Sequence, residues 1–126
     1  MGVKSPSEMP ETFGKLFNAR DKNGLLDLYA ADAMFTLDGA TSARGKAAIG
    51  EVWAPLFEGP LKLKARCASC HVNGGTAILR TDWAMIAPDE SVAMTGSSGE
   101  VLRREADGRW RLVIDDATFS SRPGQA

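Results

Sequence analysis

The chain is poor in the residues that most often carry chemistry. His71 is its only histidine, Tyr29 its only tyrosine, and Cys67 and Cys70 its only cysteines in 126 residues. One histidine cannot build a multi-histidine metal site, and two cysteines cannot build a disulfide framework, so neither a metal nor a cofactor is expected. Charge of one sign is also missing. Fifteen basic residues against sixteen acidic ones leave a net charge of −1, which offers no basic field to nucleic acid or to a membrane surface. No stretch approaches the roughly 18 apolar residues of a membrane span. Met1 to Glu11 has no apolar run of the signal-peptide kind, so a cytoplasmic location with reduced cysteines is the expectation.

What is present is ordinary globular composition, 44% hydrophobic and 25% charged, at a length suited to a single domain over 1–126. Residues 1–8 are expected as a flexible arm and 120–126 as a flexible tail. Met9, Phe13, Leu16, Phe17 and Arg20 follow the i, i+3, i+4 spacing of an amphipathic helix. Asp21-Lys22-Asn23-Gly24 breaks it, and Leu25, Leu26, Leu28 and Tyr29 suggest a short second helix. Ala33 to Asp38 is a strand candidate, followed by a loop of small residues. Ile49, Val52, Trp53 and Leu56 form the stripe of a third helix, which Gly59-Pro60 ends.

The second half has strand character. Leu61–Val72, Thr76–Ala87, Ser91–Arg104 and Arg109–Phe119 are separated by Asn73-Gly74-Gly75, Pro88-Asp89-Glu90 and Asp107-Gly108. Helices followed by a four-strand meander indicate an α+β fold, with three N-terminal helices packed on a curved, mainly antiparallel sheet.

Strand parity sorts the meander into two faces. One holds Ile78, Arg80, Asp82, Ser98, Glu100, Val113 and Asp115. The other holds Leu79, Trp83, Met85, Val101, Arg103, Trp110, Leu112 and Ile114, with two tryptophans and several aliphatics, too apolar for a solvated face. The polar set is assigned to the interior. The apolar set is expected to be covered by a second copy, making a homodimer.

Cys67-Ala-Ser-Cys70-His71 spells C-x-x-C-H, the haem-attachment pattern. It ends a run that alternates apolar and basic residues. On such a strand, cysteines three apart face opposite sides, which suits neither haem nor a redox pair.

The element order resembles the NTF2-like superfamily, the cone-shaped, cystatin-like α+β fold of SnoaL-like proteins and ketosteroid isomerases. So do the strings Leu28-Tyr29-Ala-Ala-Asp32-Ala33-Met-Phe35, Arg44-Gly45-Lys-Ala-Ala-Ile49, Arg80-Thr-Asp82-Trp83 and Asp107-Gly108-Arg-Trp110. The strings look like those of the ketosteroid isomerase homologues of the DUF4440, SgcJ/EcaC type. The resemblance implies a pocket inside the cone. The resemblance matches one of the isomerase's three roles in kind. Its tyrosine position falls on Phe13, its base on Leu37 with Asp38 adjacent, and its protonated acid on Glu100.

The expected pocket therefore combines Asp82, Glu100 and Asp115 as proton-moving carboxylates with Arg80 to hold a carbonyl or carboxylate. Phe13, Phe17, Leu37, Asp38, Trp53, Ile78, Ser98 and Val113 complete the ligand-binding set. Carboxylates withdrawn from water must pair or change protonation. The partner so implied is a small, partly apolar molecule, with isomerase, cyclase or hydratase chemistry. A structural salt-bridge network, a non-catalytic binding pocket and an association module are the alternatives.

Overall fold

In the computed structural model, which describes residues 1–124, three helices lie on one side of a curved sheet. The helices are α1 (Met9–Asn18), α2 (Lys22–Leu26) and α3 (Gly45–Glu58). The strands are β1 (Tyr29–Thr36), β2 (Ser42–Arg44), β3 (Lys62–Asn73), β4 (Thr76–Ile86), β5 (Val92–Ser97), β6 (Gly99–Arg104) and β7 (Trp110–Asp116). The α+β expectation and its helices-on-sheet arrangement hold.

The sheet runs β2-β1-β7-β6-β4-β3, with β5 also on β4. All pairings are antiparallel except β1 with β7. Two differences from the sequence-based expectation follow from local chemistry. Tyr29 opens β1 instead of closing the second helix. The run Ser91–Arg104 is two strands, because it breaks at Ser98, whose amide donates to the Thr81 carbonyl. On either side of that break, β6 pairs with the Thr76–Leu79 half of β4 and β5 with the Asp82–Ile86 half.

Helix α1 buries Met9, Phe13 and Phe17, and α3 buries Ile49 and Trp53. Their aromatic rings meet above the sheet, with Trp53 centred 5.2 Å from Phe13, 5.7 Å from Phe17 and 5.5 Å from Phe35. Burying these large rings supplies much of the apolar driving force. Asn18 ties α1 to the edge of β3. Its amide donates to the Leu63 carbonyl at 2.9 Å and its oxygen accepts the Leu63 N–H at 2.7 Å.

The chain ends are tied down. Val3 exchanges two backbone hydrogen bonds with Trp110 and is 4% exposed, so the arm expected to be loose is held to β7. Ser120 donates to the Ser97 and Ser98 carbonyls, and Arg122 forks onto Asp116 at 2.6 and 2.8 Å. The expected tail also includes residues 125–126, which lie outside the described residues.

Two bulges change which way side chains point. On β3, Cys67 pairs with Thr81 and Ser69 with Arg80, leaving Ala68 extra. On β7, Leu112 pairs with Leu102 and Ile114 with Val101, leaving Val113 extra. A bulge inserts one residue against one partner step, so the alternation shifts phase across it.

Candidate active site in the cone

Between the helices and the concave face of the sheet lies a cavity of about 120 Å³. Its walls are almost wholly apolar: Phe13, Phe35, Trp53, Leu63, Trp83 and Met85 are among them. Leu37, Val52 and Met94, exposed at 41%, 38% and 49%, mark its rim. The polar side chains on its wall are Thr81, Ser98, Glu100 and Asp115.

β4 carries the main correction to the expected site. Thr81, Trp83 and Met85 face the cavity, while Ile78 is 53% exposed and Arg80 and Asp82 lie on the outer face. Within β4 the parity grouping holds but its face is inverted: the helices cover its apolar set, whereas Ser98, Glu100 and Asp115, expected beside Arg80 and Asp82, do face the cavity. Asp82 is held outside by Arg66 at 3.0 Å, Ser97 at 2.7 Å and Arg80 at 3.7 Å. The Ser97 hydroxyl, with both arginines helping, keeps its carboxyl below the usual range. The expected Arg80–Asp82 clamp thus exists, away from the cavity. Trp83 points inward and donates its indole N–H to the Ala117 carbonyl at 2.7 Å, so it forms no outer face for a second copy. Gly96 sits opposite Trp83 and leaves room for that indole, since any Cβ there would enter the ring.

The remaining expected residues separate in the same way. Phe13, Leu37, Trp53, Ser98, Glu100 and Asp115 line the cavity. Phe17 is fully buried behind it, edge-on to Trp53. Val113 is the bulged residue of β7 and does not line the cavity. Asp38 is exposed and shapes its own turn, accepting the amides of Ala40 and Thr41 at 2.8 and 2.9 Å.

Glu100 and Asp115 are paired across β6 and β7, and both are buried. Their dressing differs. The two Glu100 oxygens accept hydroxyl hydrogen bonds from Thr81 and Ser98. Asp115 accepts one, from the fully buried Tyr29 hydroxyl, at 2.6 Å. Burial pushes the Asp115 carboxyl up to about 8, with the charge of Glu100 adding to it, and burial also raises Glu100. Burial and the neighbouring Asp115 push the Tyr29 hydroxyl well up, so it stays a donor. At neutral pH, Asp115 therefore holds a proton while Glu100, bonded by two donors, is the better seat for negative charge.

Trp53 adds a further polar atom. Its Nε1 is buried near the Tyr29 hydroxyl, short of hydrogen-bond geometry, and has no partner among the described residues. Sequence inspection missed Tyr29 and Thr81. Thr81 shares its parity with Leu79, Trp83 and Met85, and that was the available signal.

Residues 11–113 match the SnoaL-like domain family. The chain belongs to that family. Solved structures similar to it include proteins described as NTF2-like or as having a cystatin-like fold. A Thiobacillus denitrificans protein named for a calcium/calmodulin-dependent protein kinase type II association domain is similar to this SnoaL-like domain with TM-score 0.80. It is 23% identical, over 99% of each chain. An NTF2-like protein with a cystatin-like fold from Novosphingobium aromaticivorans gives TM-score 0.76 at 20% identity, covering 93% of this chain and 82% of that one. A ketosteroid isomerase-like protein from Erwinia carotovora atroseptica gives 0.66 at 19% identity, covering 89% and 91%. No curated protein is matched. Among the described residues, no helix of this SnoaL-like domain is long and apolar enough to cross a membrane.

Proposed function

We propose that the cone binds a small, ring-sized, mostly apolar molecule bearing a carbonyl-type oxygen and moves a proton on it. The supporting observation is the opposed pair of buried carboxyls with unequal hydrogen bonding, two hydroxyls on Glu100 and one on Asp115. Glu100 takes the proton as general base. Asp115, supported by Tyr29, gives one as general acid, and the Trp53 N–H donates to the ligand oxygen. The apolar walls keep water out and make each of these contacts stronger. The cavity, at about 120 Å³, is near the roughly 150 Å³ that holds a benzene ring, so one ring fits inside and a longer ligand projects through the Leu37–Val52–Met94 rim.

Cyclohexenone in deuterated water provides a direct test, with exchange of its acidic C–H protons followed by NMR. The wild-type chain is expected to accelerate exchange, and Glu100→Gln to lose roughly 100-fold or more of it. Exchange at the solvent rate with wild type, despite ligand-induced thermal stabilisation, would leave a binding pocket without chemistry.

A second reading rests on the outer sheet face. There Ile78, Val101, Ile114 and Met34 lie in one cross-strand row, with Ile78 and Ile114 exposed at 53% and 41%. The Arg103–Asp32 and Arg66–Asp82 pairs on the exposed side of the sheet present both charge signs, which suits a second copy. In this reading the chain is a homodimer through that row. Ile114→Lys should halve the mass seen by sedimentation, and a monomeric wild type would dismiss it.

A further inference from the structure

The bulge at Ala68 reverses what the C-x-x-C spacing implies. On a regular strand Cys67 and Cys70 would face opposite sides. Here Cys67 stands opposite Thr81 and Cys70 opposite Leu79, two residues apart on β4 and both buried. The extra residue is absorbed by the bulge, so the two cysteines share one face with the spacing of i, i+2 neighbours. Two strand steps span about 6.8 Å, the upper end of the Cα separation that a disulfide bridges.

Both cysteines are free and half-buried, packed against the core. Cys67 points its Sγ toward the Ser69 carbonyl at 3.5 Å. Burial, then the adjacent Cys70 thiol, push the Cys67 thiol up, and the charge of Glu100 adds to the effect. The thiols are therefore neighbours, and the pair borders the Thr81–Glu100 hydrogen bond on the cavity wall.

We propose that Cys67 and Cys70 form a dithiol site that low-molecular-weight disulfides oxidise reversibly to an intrastrand bridge. The Cys70 thiolate attacks one sulfur of the small disulfide, forming a mixed disulfide and expelling one thiol. Cys67 then loses its proton and attacks the Cys70 sulfur, closing the protein disulfide and releasing the second thiol. The two electrons and two protons end on the small-molecule thiols, and excess thiol reverses both steps. Cys67 is the resolving thiol, since burial holds its proton on. A bridge at the edge of the permitted span is strained, and strained bridges are the readily reduced ones.

The test equilibrates the folded full chain in buffers of stepped glutathione to glutathione disulfide ratio, followed by acid quench, alkylation and intact mass. Both thiols should disappear in one transition, giving monomer lighter by two hydrogens and recovered by dithiothreitol. Cys67→Ser, with its fold checked by circular dichroism, should instead accumulate a glutathione adduct on Cys70. Cys70→Ser should form its adduct markedly more slowly. Stable wild-type adducts, disulfide-linked dimers, or thiols that oxidise only after urea unfolding would each overturn the proposal.

Discussion

Glu100 and Asp115 face each other across adjacent strands, yet one oxygen pair accepts two hydroxyl hydrogen bonds and the other accepts one. That asymmetry sorts one negative charge between two carboxyls that cannot both ionise cheaply in an apolar cavity.

Asp115→Asn should flatten the pH dependence of stability. Asp115 keeps its proton in the folded protein up to about pH 8, whereas an unfolded aspartate loses it near 4. The raised value means that its contribution is fully present below the unfolded value and is lost as pH rises through the folded one. Glu100 is shifted in the same direction. The asparagine variant retains an oxygen for the Tyr29 hydroxyl and carries no titration. Thermal melts should show it matching wild type below about pH 4, melting increasingly higher as pH rises toward 8, and keeping that lead above it. Parallel curves would remove the buried-acid assignment.

Trp53→Phe keeps an aromatic ring in the Phe13–Phe17–Phe35 cluster and deletes the unpartnered N–H. Affinity for a cyclic ketone should fall roughly two- to tenfold. Affinity for the matching hydrocarbon should not. Calorimetry on both ligands separates a lost hydrogen bond from altered packing.

Gly96→Ala should destabilise the fold by about 1–3 kcal/mol, because the new methyl enters the Trp83 indole that the Ala117 carbonyl holds in place. Urea midpoints measure this. Fluorescence of Trp83 should report the same displacement.

Asp82→Ala should leave ligand affinity unchanged and cost no more than about 1 kcal/mol, since its Arg66 and Arg80 partners are exposed. A large loss of binding would put Asp82 back in the site.

Much of the architecture was legible in the chain. The apolar spacing of Phe13 and Phe17, the stripe through Ile49 and Trp53, and the Gly74-Gly75 hairpin turn all mark elements that the structure contains. Parity also grouped the residues of β4 correctly. It could not say which group faces the helices, and the charges of Arg80 and Asp82 were given to the interior when the apolar Leu79, Trp83 and Met85 had the stronger claim to it. The bulges were not legible at all. Nothing in Cys67-Ala68-Ser69 or Leu112-Val113-Ile114 marks the middle residue as extra, because a bulge reflects how two strands fit and not the preference of one residue. Tyr29 was missed for a related reason: it was assigned to a helix, and its partner lies 86 positions away.

The bulge at Val113 makes residue counting a chemical variable. With it, Leu112 and Asp115 both face the cone and Ile114 faces out. If β7 instead ran in strict alternation from Leu112, Ile114 would fill the acid's place and Asp115 would sit in solvent. The same composition would then enclose a greasy storage space with no acid in β7. Insertion or loss of a single codon in this strand is therefore a functional mutation of the same weight as replacing the acid itself.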